Sequence, residues 1–276
     1  MMKNKSTENY NKLLNWFLTN GDKVIVALSG GVDSAVVALA AKDALGSNAM
    51  AITASYKTLS KEEIFAAKKI SKEIFIKHKV IEYDELQNQK FVKNDGLRCY
   101  YCRTELAHHL TLAAKKFAIK LIVDGTHIDD LSDYRPGISA LRENHIRSPL
   151  VELNIDKREV RSIAQQFGLS VYDKPSNSCL ASRITRGFEV TYEKLQKIEK
   201  SETIVKSMFN VSQVRVRDHG EVARIEVGKN EISKLFDIDK LRILDIKLKE
   251  TGFKFVTIDI CGYRGENLIF IKSEVT

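Results

Sequence analysis

The stretch "VIVALSGGVDSAVVALAA", Val24 to Ala41, sets a glycine pair between two apolar runs. Lys23 to Leu28 is short and β-branched, whereas Val32 to Leu45 is long and rich in alanine and leucine, so the pattern predicts a strand, a tight turn and a helix. Gly30 and Gly31 let the chain turn sharply with its N–H groups inward. The helix that follows offers unsatisfied N–H donors and the positive end of its dipole. This geometry suits an anion. The turn is not a Walker A loop, because it lacks the Gly-Lys-Ser/Thr ending that brings a lysine to the phosphates.

Outward from this stretch, "NAMAITASY" (Asn48 to Tyr56) reads as a second strand. Ser60 with Glu63 reads as a capping box for a helix to about Lys77. "KVIEY" is a third strand. "RCYYCRTELAHHLTLAAKKFA" becomes helical from about Cys102, and "KLIVD" (Lys120 to Asp124) is a fourth strand. Strands alternating with helices predict an α/β fold with a doubly wound parallel sheet. The long polar loop after Asp124 is expected to carry ligand contacts. Asp156 and Glu159 form a second capping box, with Gly168 past that helix's end. Periodicity is lost from Tyr172 to Phe188, which places a domain junction in or just after that stretch, with the first domain drawn to residue 188. Residues 189–276 then read as a smaller α+β domain: a helix from about Thr191 to Met208, two strands around Asp218-His219-Gly220, two helical stretches and the strand "FKFVTIDI".

The composition, with 43% hydrophobic residues in 276, is that of a globular protein. Lysine and arginine exceed the acids by 8, which suits phosphate-rich ligands. No apolar run has the length of a signal peptide or membrane span, so a cytoplasmic protein without membrane contact is expected. In that compartment four cysteines are metal ligands, catalytic groups or buried thiols rather than disulfides. Cys99 and Cys102 are spaced so that both sulfurs can reach one site. Cys179, in the aperiodic "SNSCLASR", is placed as an accessible thiol, with Arg183 near enough to lower its pKa or to bind a phosphate. Cys261 ends an apolar strand and is expected to be a buried small hydrophobe. Arg215 and Arg217 share one side of a strand, which suits a phosphate or a solvated face equally. His108 and His109 point in different directions from one helix and are not expected to share a metal.

"SGGVDS" (Ser29 to Ser34) is similar to the PP-loop signature of the N-type ATP pyrophosphatases, with their adenine nucleotide alpha hydrolase-like fold. That resemblance implies ATP as the nucleotide, pyrophosphate cradled by Gly30, Gly31 and the backbone after them, hydroxyl donors at Ser29 and Ser34, and Mg²⁺ at Asp33. "DGTHIDD" (Asp124 to Asp130) would pass the α-phosphate, with Gly125 and Thr126 against the nucleotide and Asp129 or Asp130 joining Asp33 at the metal.

With "DYRPG" (Asp133 to Gly137), "SCLASR" around Cys179, "VRVRDHGEVARIE" and "DICGYRGEN", the chain resembles the LarE-type sulfur transferases over nearly its whole length. The resemblance implies adenylation of a pyridinium carboxylate mononucleotide, release of pyrophosphate, and replacement of carboxylate oxygen by sulfur. The CxxC resembles the subgroup in which three cysteines, here Cys99, Cys102 and Cys179, hold a 4Fe-4S cluster fed by sulfide or another sulfur donor. In members without the CxxC, the counterpart of Cys179 gives up its own sulfur. Arg183, Arg215 and Arg217 would hold the substrate phosphate, with Glu202 shaping that site, and a homo-oligomer is implied. One alternative is a tRNA thiolase of the same superfamily, but paired CxxC ribbons and an arginine- and aromatic-rich RNA surface are missing, so nucleic acid is not an expected partner. Another is an ATP-binding regulatory module whose cysteines hold a structural metal.

Overall fold

The computed structural model describes residues 2–131, 136–175 and 177–264. Asp133, Tyr134 and Arg135 of "DYRPG", and the end of "DICGYRGEN" from Gly265, lie outside them. The chain divides into two compact units, residues 1–177 and 178–276.

In the first unit, α1 (Met2–Asn20) precedes β1 (Val24–Ala27), α2 (Val32–Leu45), β2 (Ala49–Ser55), α3 (Lys61–Glu73), β3 (Lys77–Glu82), α4 (Gln89–Val92), α5 (Arg98–Phe117) and β4 (Leu121–Val123). Then come α6 (Pro136–Glu143), α7 (Pro149–Glu152) and α8 (Lys157–Gln166). The four strands are parallel in the order β3-β2-β1-β4. Each strand sends alternate side chains to opposite faces. Val24 and Val26 of β1, Ala49 and Ala51 of β2 and Leu121 and Val123 of β4 enter a core with α1, α2 and α8. Ile25, Met50, Ile52 and Ile122 enter another with α5 and α6. The sheet is therefore buried on both sides, as a doubly wound fold requires.

The two matching capping patterns behave differently. Asp156 and Glu159 exchange both bonds of a capping box at α8. At α3 neither bond of the box forms: the Glu63 amide bonds the Ser60 carbonyl rather than its hydroxyl, and the buried Glu63 carboxylate accepts Lys174 Nζ at 2.9 Å and Asn177 Nδ2 at 3.0 Å instead of the Ser60 amide. The region after Asp124 is also more regular than its polarity suggests, with a short 3-10 turn at Ile128–Leu131 and then α6 and α7.

The second unit holds α9 (Tyr192–Phe209), β5 (Val214–His219), β6 (Val222–Val227), α10 (Ile238–Glu250) and β7 (Phe255–Ile258). β5 and β6 form an antiparallel hairpin closed by Gly220 at φ 77°, and β7 adds parallel to β6. Val214, Val216, Ala223 and Ile225 of the sheet pack on Val205, Phe209, Leu244 and Leu248 of α9 and α10. Residues 178–188, placed in the first domain from sequence, group with this unit. Arg183 bonds Glu202 of α9, and Ile184 bridges Asp218 of β5.

Candidate functional site

The strand order reverses direction between β1 and β4, and the crevice beyond the carboxyl ends of such strands is where α/β sheets bind ligands. A cavity of about 310 Å³ opens there, lined by Ser29, Asp33 and Ser34 after β1 and by Asp124, Gly125 and Thr126 after β4. Ile52, Leu106, Leu110 and Ile146 supply an apolar wall. Its volume is in the range of small-ligand sites, about 300–1,000 Å³.

Two glycines make this loop possible. Gly30 has φ +85°, and a Cβ there would lie 2.5 Å from the Glu63 carbonyl oxygen on α3. A Cβ on Gly125 would lie 2.5 Å from Ser34 N and 2.8 Å from Ser34 Cα. The β4 turn is thus pressed against the first turn of α2, and Gly30 and Gly31 themselves are not among the residues that line the cavity. The serine hydroxyls close the loop on itself: Ser29 Oγ and Ser34 Oγ lie 3.0 Å apart, the Ser29 amide donates to Ser34 Oγ at 3.1 Å, and Ser34 Oγ lies 3.2 Å from the Gly31 carbonyl. A phosphate would have to take these donors from the loop.

Asp33, in the first turn of α2, accepts Lys157 Nζ at 2.7 and 2.5 Å on its two oxygens. Lys157 opens α8, and its amide also donates to Asp129 at 2.9 Å. Asp129 is exposed, whereas Asp130 lines the cavity and lies 3.4 Å from His127 Nε2. Asp124 accepts Ser148 Oγ at 2.6 Å and the Thr126 hydroxyl at 2.5 Å, so Thr126 is committed to its own turn.

Cys99 and Cys102 both fall in the first turn of α5, which begins earlier than expected because Asn94 and Asp95 bond Arg98 and the Leu97 amide. Three residues apart, they share one face of the helix. Cys99 is exposed, and an Arg98 guanidinium nitrogen lies 3.8 Å from its sulfur. Gly137 of α6 packs on this turn, where a Cβ would lie 3.3 Å from the Cys99 carbonyl oxygen. Among the described residues, no three His, Cys, Asp or Glu side chains are gathered as a metal would need.

In the second unit, Cys179 is half-buried and precedes a 3-10 turn, Leu180–Arg183. Arg183 is fully buried: its Nε donates to Glu202 Oε1 at 2.8 Å, and another nitrogen donates to the Cys179 carbonyl at 2.9 Å and to the Ser178 carbonyl. Glu202 Oε1 also accepts the Val216 amide at 3.0 Å. This pair therefore fastens the cysteine loop to α9 and β5. Arg215 and Arg217 do share one face of β5, opposite the core valines. Arg217 donates to Glu226 at 3.0 Å and to the Ser182 carbonyl at 2.9 Å. Arg215 is buried with its guanidinium 5.3 Å from the Tyr263 ring centre. Burial, and then the neighbouring Arg183 charge, pull it down to about 10. Cys261, expected in the core, is exposed: β7 stops at Ile258, and Cys261 sits in the turn beyond, its amide donating to Asp259.

Comparison with known proteins agrees with this arrangement. A family model described as queuosine biosynthesis protein QueC matches residues 23–95. An uncharacterized protein of Synechocystis is 40% identical over 92% of this chain and 95% of its own. An uncharacterized protein of Methanocaldococcus jannaschii is 32% identical over 88% of this chain and 91% of its own. The pyridinium-3,5-bisthiocarboxylic acid mononucleotide synthase of Lactiplantibacillus plantarum is 30% identical over 88% of this chain and 87% of its own. The chain belongs to the LarE family of PP-loop proteins. Among the described residues no helix is long and apolar enough to cross a membrane.

For this LarE-family chain, sequence reading overlooked several groups around the PP-loop. Lys157 lies 124 residues from Asp33; Lys174 donates to the Gly30 carbonyl at 3.0 Å; Arg103, one residue past the CxxC, lines the cavity. The available signal for Lys157 was its place just inside a well-capped helix start, which says nothing of its partner.

Proposed function

We propose that this protein is an ATP-dependent sulfur transferase that adenylates the carboxylate of a pyridinium mononucleotide and replaces carboxylate oxygen by sulfur. The observation that carries this reading is the near full-length similarity to the Lactiplantibacillus synthase. The cavity supports it: its polar lining, with Ser29 and Ser34, suits phosphates, and its apolar wall suits a base. A carboxylate oxygen attacks the α-phosphorus, the bond to pyrophosphate breaks, and pyrophosphate leaves toward the first turn of α2, where N–H groups and the helix dipole favour negative charge. A sulfur nucleophile then adds to the acyl adenylate and AMP departs.

Asp33 offers the hard oxygen donors that Mg²⁺ prefers. Lys157 takes one acceptor position on each Asp33 oxygen, and in this proposal the arriving cation displaces it, which frees its amine for the phosphates. In the second unit Arg215, with Arg217, is proposed to hold the substrate phosphate. An arginine whose pKa is depressed by burial and a like charge is an environment that an anion would relieve. Arg183 and Glu202 support that face rather than offering a solvent-facing donor.

Cys99, Cys102 and Cys179 are proposed to hold a 4Fe-4S cluster, for which two thiols on one helical turn beside Arg98 are a fitting part of the donor set. Held by three thiolates, such a cluster would supply an iron without a protein ligand at which external sulfide could be activated. ATP–pyrophosphate exchange that depends on pyridinium-3,5-biscarboxylic acid mononucleotide, with mass spectrometry of the thiocarboxylate product, tests the reaction. Exchange driven by tRNA and not by the mononucleotide would overturn it. Loss of the Cys179 side-chain sulfur in proportion to product would replace the cluster by a sacrificial cysteine.

A further inference from the structure

At the amino ends of β2 and β3, away from the carboxyl ends that bear the PP-loop, lies an open groove of about 880 Å³. Lys42, Lys68, Lys72 and Lys77 line it, with Phe75 and Ile76 between them. No carboxylate lines the groove, and among the described residues none of the four ammonium groups has an ion pair or hydrogen bond. Lys42 and Lys72 lie in the last turns of α2 and α3, where they complement the helix dipoles. Lys68 and Lys77 have no such partner. Lys68 is also close enough to His78, on the same wall, to help burial lower that imidazole's pKa.

Phe75 is a second, independent oddity. It is 83% exposed and sits at φ +53°, a conformation strained for a bulky residue. Glycine would be favoured there on both counts. The left-handed turn itself ends α3, with the Ile76 amide on the Ser71 carbonyl, so what the fold does not explain is a large exposed ring in place of glycine at that turn.

We infer that this groove docks an acidic segment of a partner protein, one that carries an apolar side chain among its carboxylates. The lysine charges call for an anion, and Phe75 with Ile76 calls for an apolar group on the same ligand. A phosphate chain fits less well. Among the described residues the groove is lined by no arginine fork that would grip a phosphate bidentately and by no α-helix N-terminus. One exposed ring is also not the series of stacking platforms that a single strand uses. The inference does not depend on the proposed reaction.

The test is fluorescence anisotropy of the whole protein with three labelled probes of equal charge. They are an aspartate- and glutamate-rich peptide containing leucine and phenylalanine, a peptide of acidic residues and glycine, and an oligouridylate. The mixed peptide should bind best. Lys68→Glu with Lys77→Glu should weaken it by about tenfold, as loss of complementary charge does at interfaces, whereas Lys229→Glu with Lys247→Glu in the second unit should not. Phe75→Gly should weaken binding of the mixed peptide while raising the melting temperature, an opposition that a purely structural phenylalanine would not give. Equal loss in the control pair, equal affinity for the glycine-containing peptide, or tighter binding of oligouridylate through the same lysines would each overturn the proposal.

Discussion

Gly125→Ala puts a single methyl group where β4 meets the first turn of α2. The added Cβ would lie 2.5 Å from Ser34 N, 2.8 Å from Ser34 Cα and 2.9 Å from the Asp33 carbonyl carbon. Reaching ordinary contact at 3.4 Å requires a separation of 3.4 − 2.5 = 0.9 Å. All three atoms are backbone, so no rotamer change relieves the clash. The two turns also leave adjacent strands, since β1 and β4 are paired through Val24–Val26 and Leu121–Val123, and moving either turn strains that pairing. The cost is therefore expected at the upper end for overpacking, about 3 kcal/mol. For a unit of this size, at about 2–4 °C per kcal/mol, its melting transition should fall by roughly 6–12 °C. Pyrophosphate exchange should drop with it, because the displaced segment carries Asp33 and Ser34. Gly96→Ala is the control: its Cβ would meet nothing within 4 Å, and stability should stay within about 0.5 kcal/mol. Calorimetry of the two variants, with exchange assays on both, decides the matter. A Gly125→Ala protein with wild-type melting and exchange would refute the close contact and the reason given for glycine at this position.

Lys157→Gln uncovers Asp33, so Mn²⁺ affinity without nucleotide, read by electron paramagnetic resonance, should rise while pyrophosphate affinity by calorimetry falls; a fall in both would show that Lys157 only supports the fold. Glu202→Ala strands the fully buried Arg183 charge and should destabilise the second unit by about 3–5 kcal/mol. A rise in substrate KM with unchanged melting would instead assign Glu202 to the substrate. His78 and His219 both have pKa values lowered chiefly by burial. Below the unfolded value near 6.5 the unfolded chain takes up protons that these folded imidazoles refuse, so stability should decline as pH falls through about 6.5. Urea midpoints at pH 7.5 and 5.5 check this, and His78→Gln should flatten the decline; a midpoint that rises on acidification would contradict the assignment.

The sheet was legible because its signal is local. The unbroken apolar runs of β1, β2 and β4, alternating along the chain with helices such as the alanine-rich α2, signal strands buried on both faces, and burial on both faces calls for a doubly wound arrangement. Ser60 and Asp156 show where locality fails. Both begin the same four-residue pattern, yet only Asp156 closes a capping box, because Glu63 finds Lys174 and Asn177 more than a hundred residues away. No window around Ser60 contains that competitor. Arg183 shows the same limit. Its sequence neighbours place it beside Cys179, and it does bond the Cys179 carbonyl, but its carboxylate partner Glu202 lies on another helix that no local window contains. Cys261 reads as core from the apolar strand before it, but the strand ends two residues sooner than its hydropathy does.

The two charged sites solve opposite electrostatic problems. At the PP-loop the carboxylate is already neutralised, since Lys157 bonds both oxygens of Asp33. The proposed arrival of Mg²⁺ with a nucleotide is then an exchange of partners, in which the cation at Asp33 is replaced and the released ammonium meets phosphate. Little net charge is buried by such an exchange, which avoids the desolvation cost of bringing an unpaired ion into the crevice. On β5 the balance is unequal. Arg215 and Arg183 are buried near one another with Glu202 between them, and Glu226 is shared by Arg217 and Arg224. The lowered pKa of Arg215 records that inequality as a cost carried by the folded protein. A phosphate set against this face would recover part of the cost on binding.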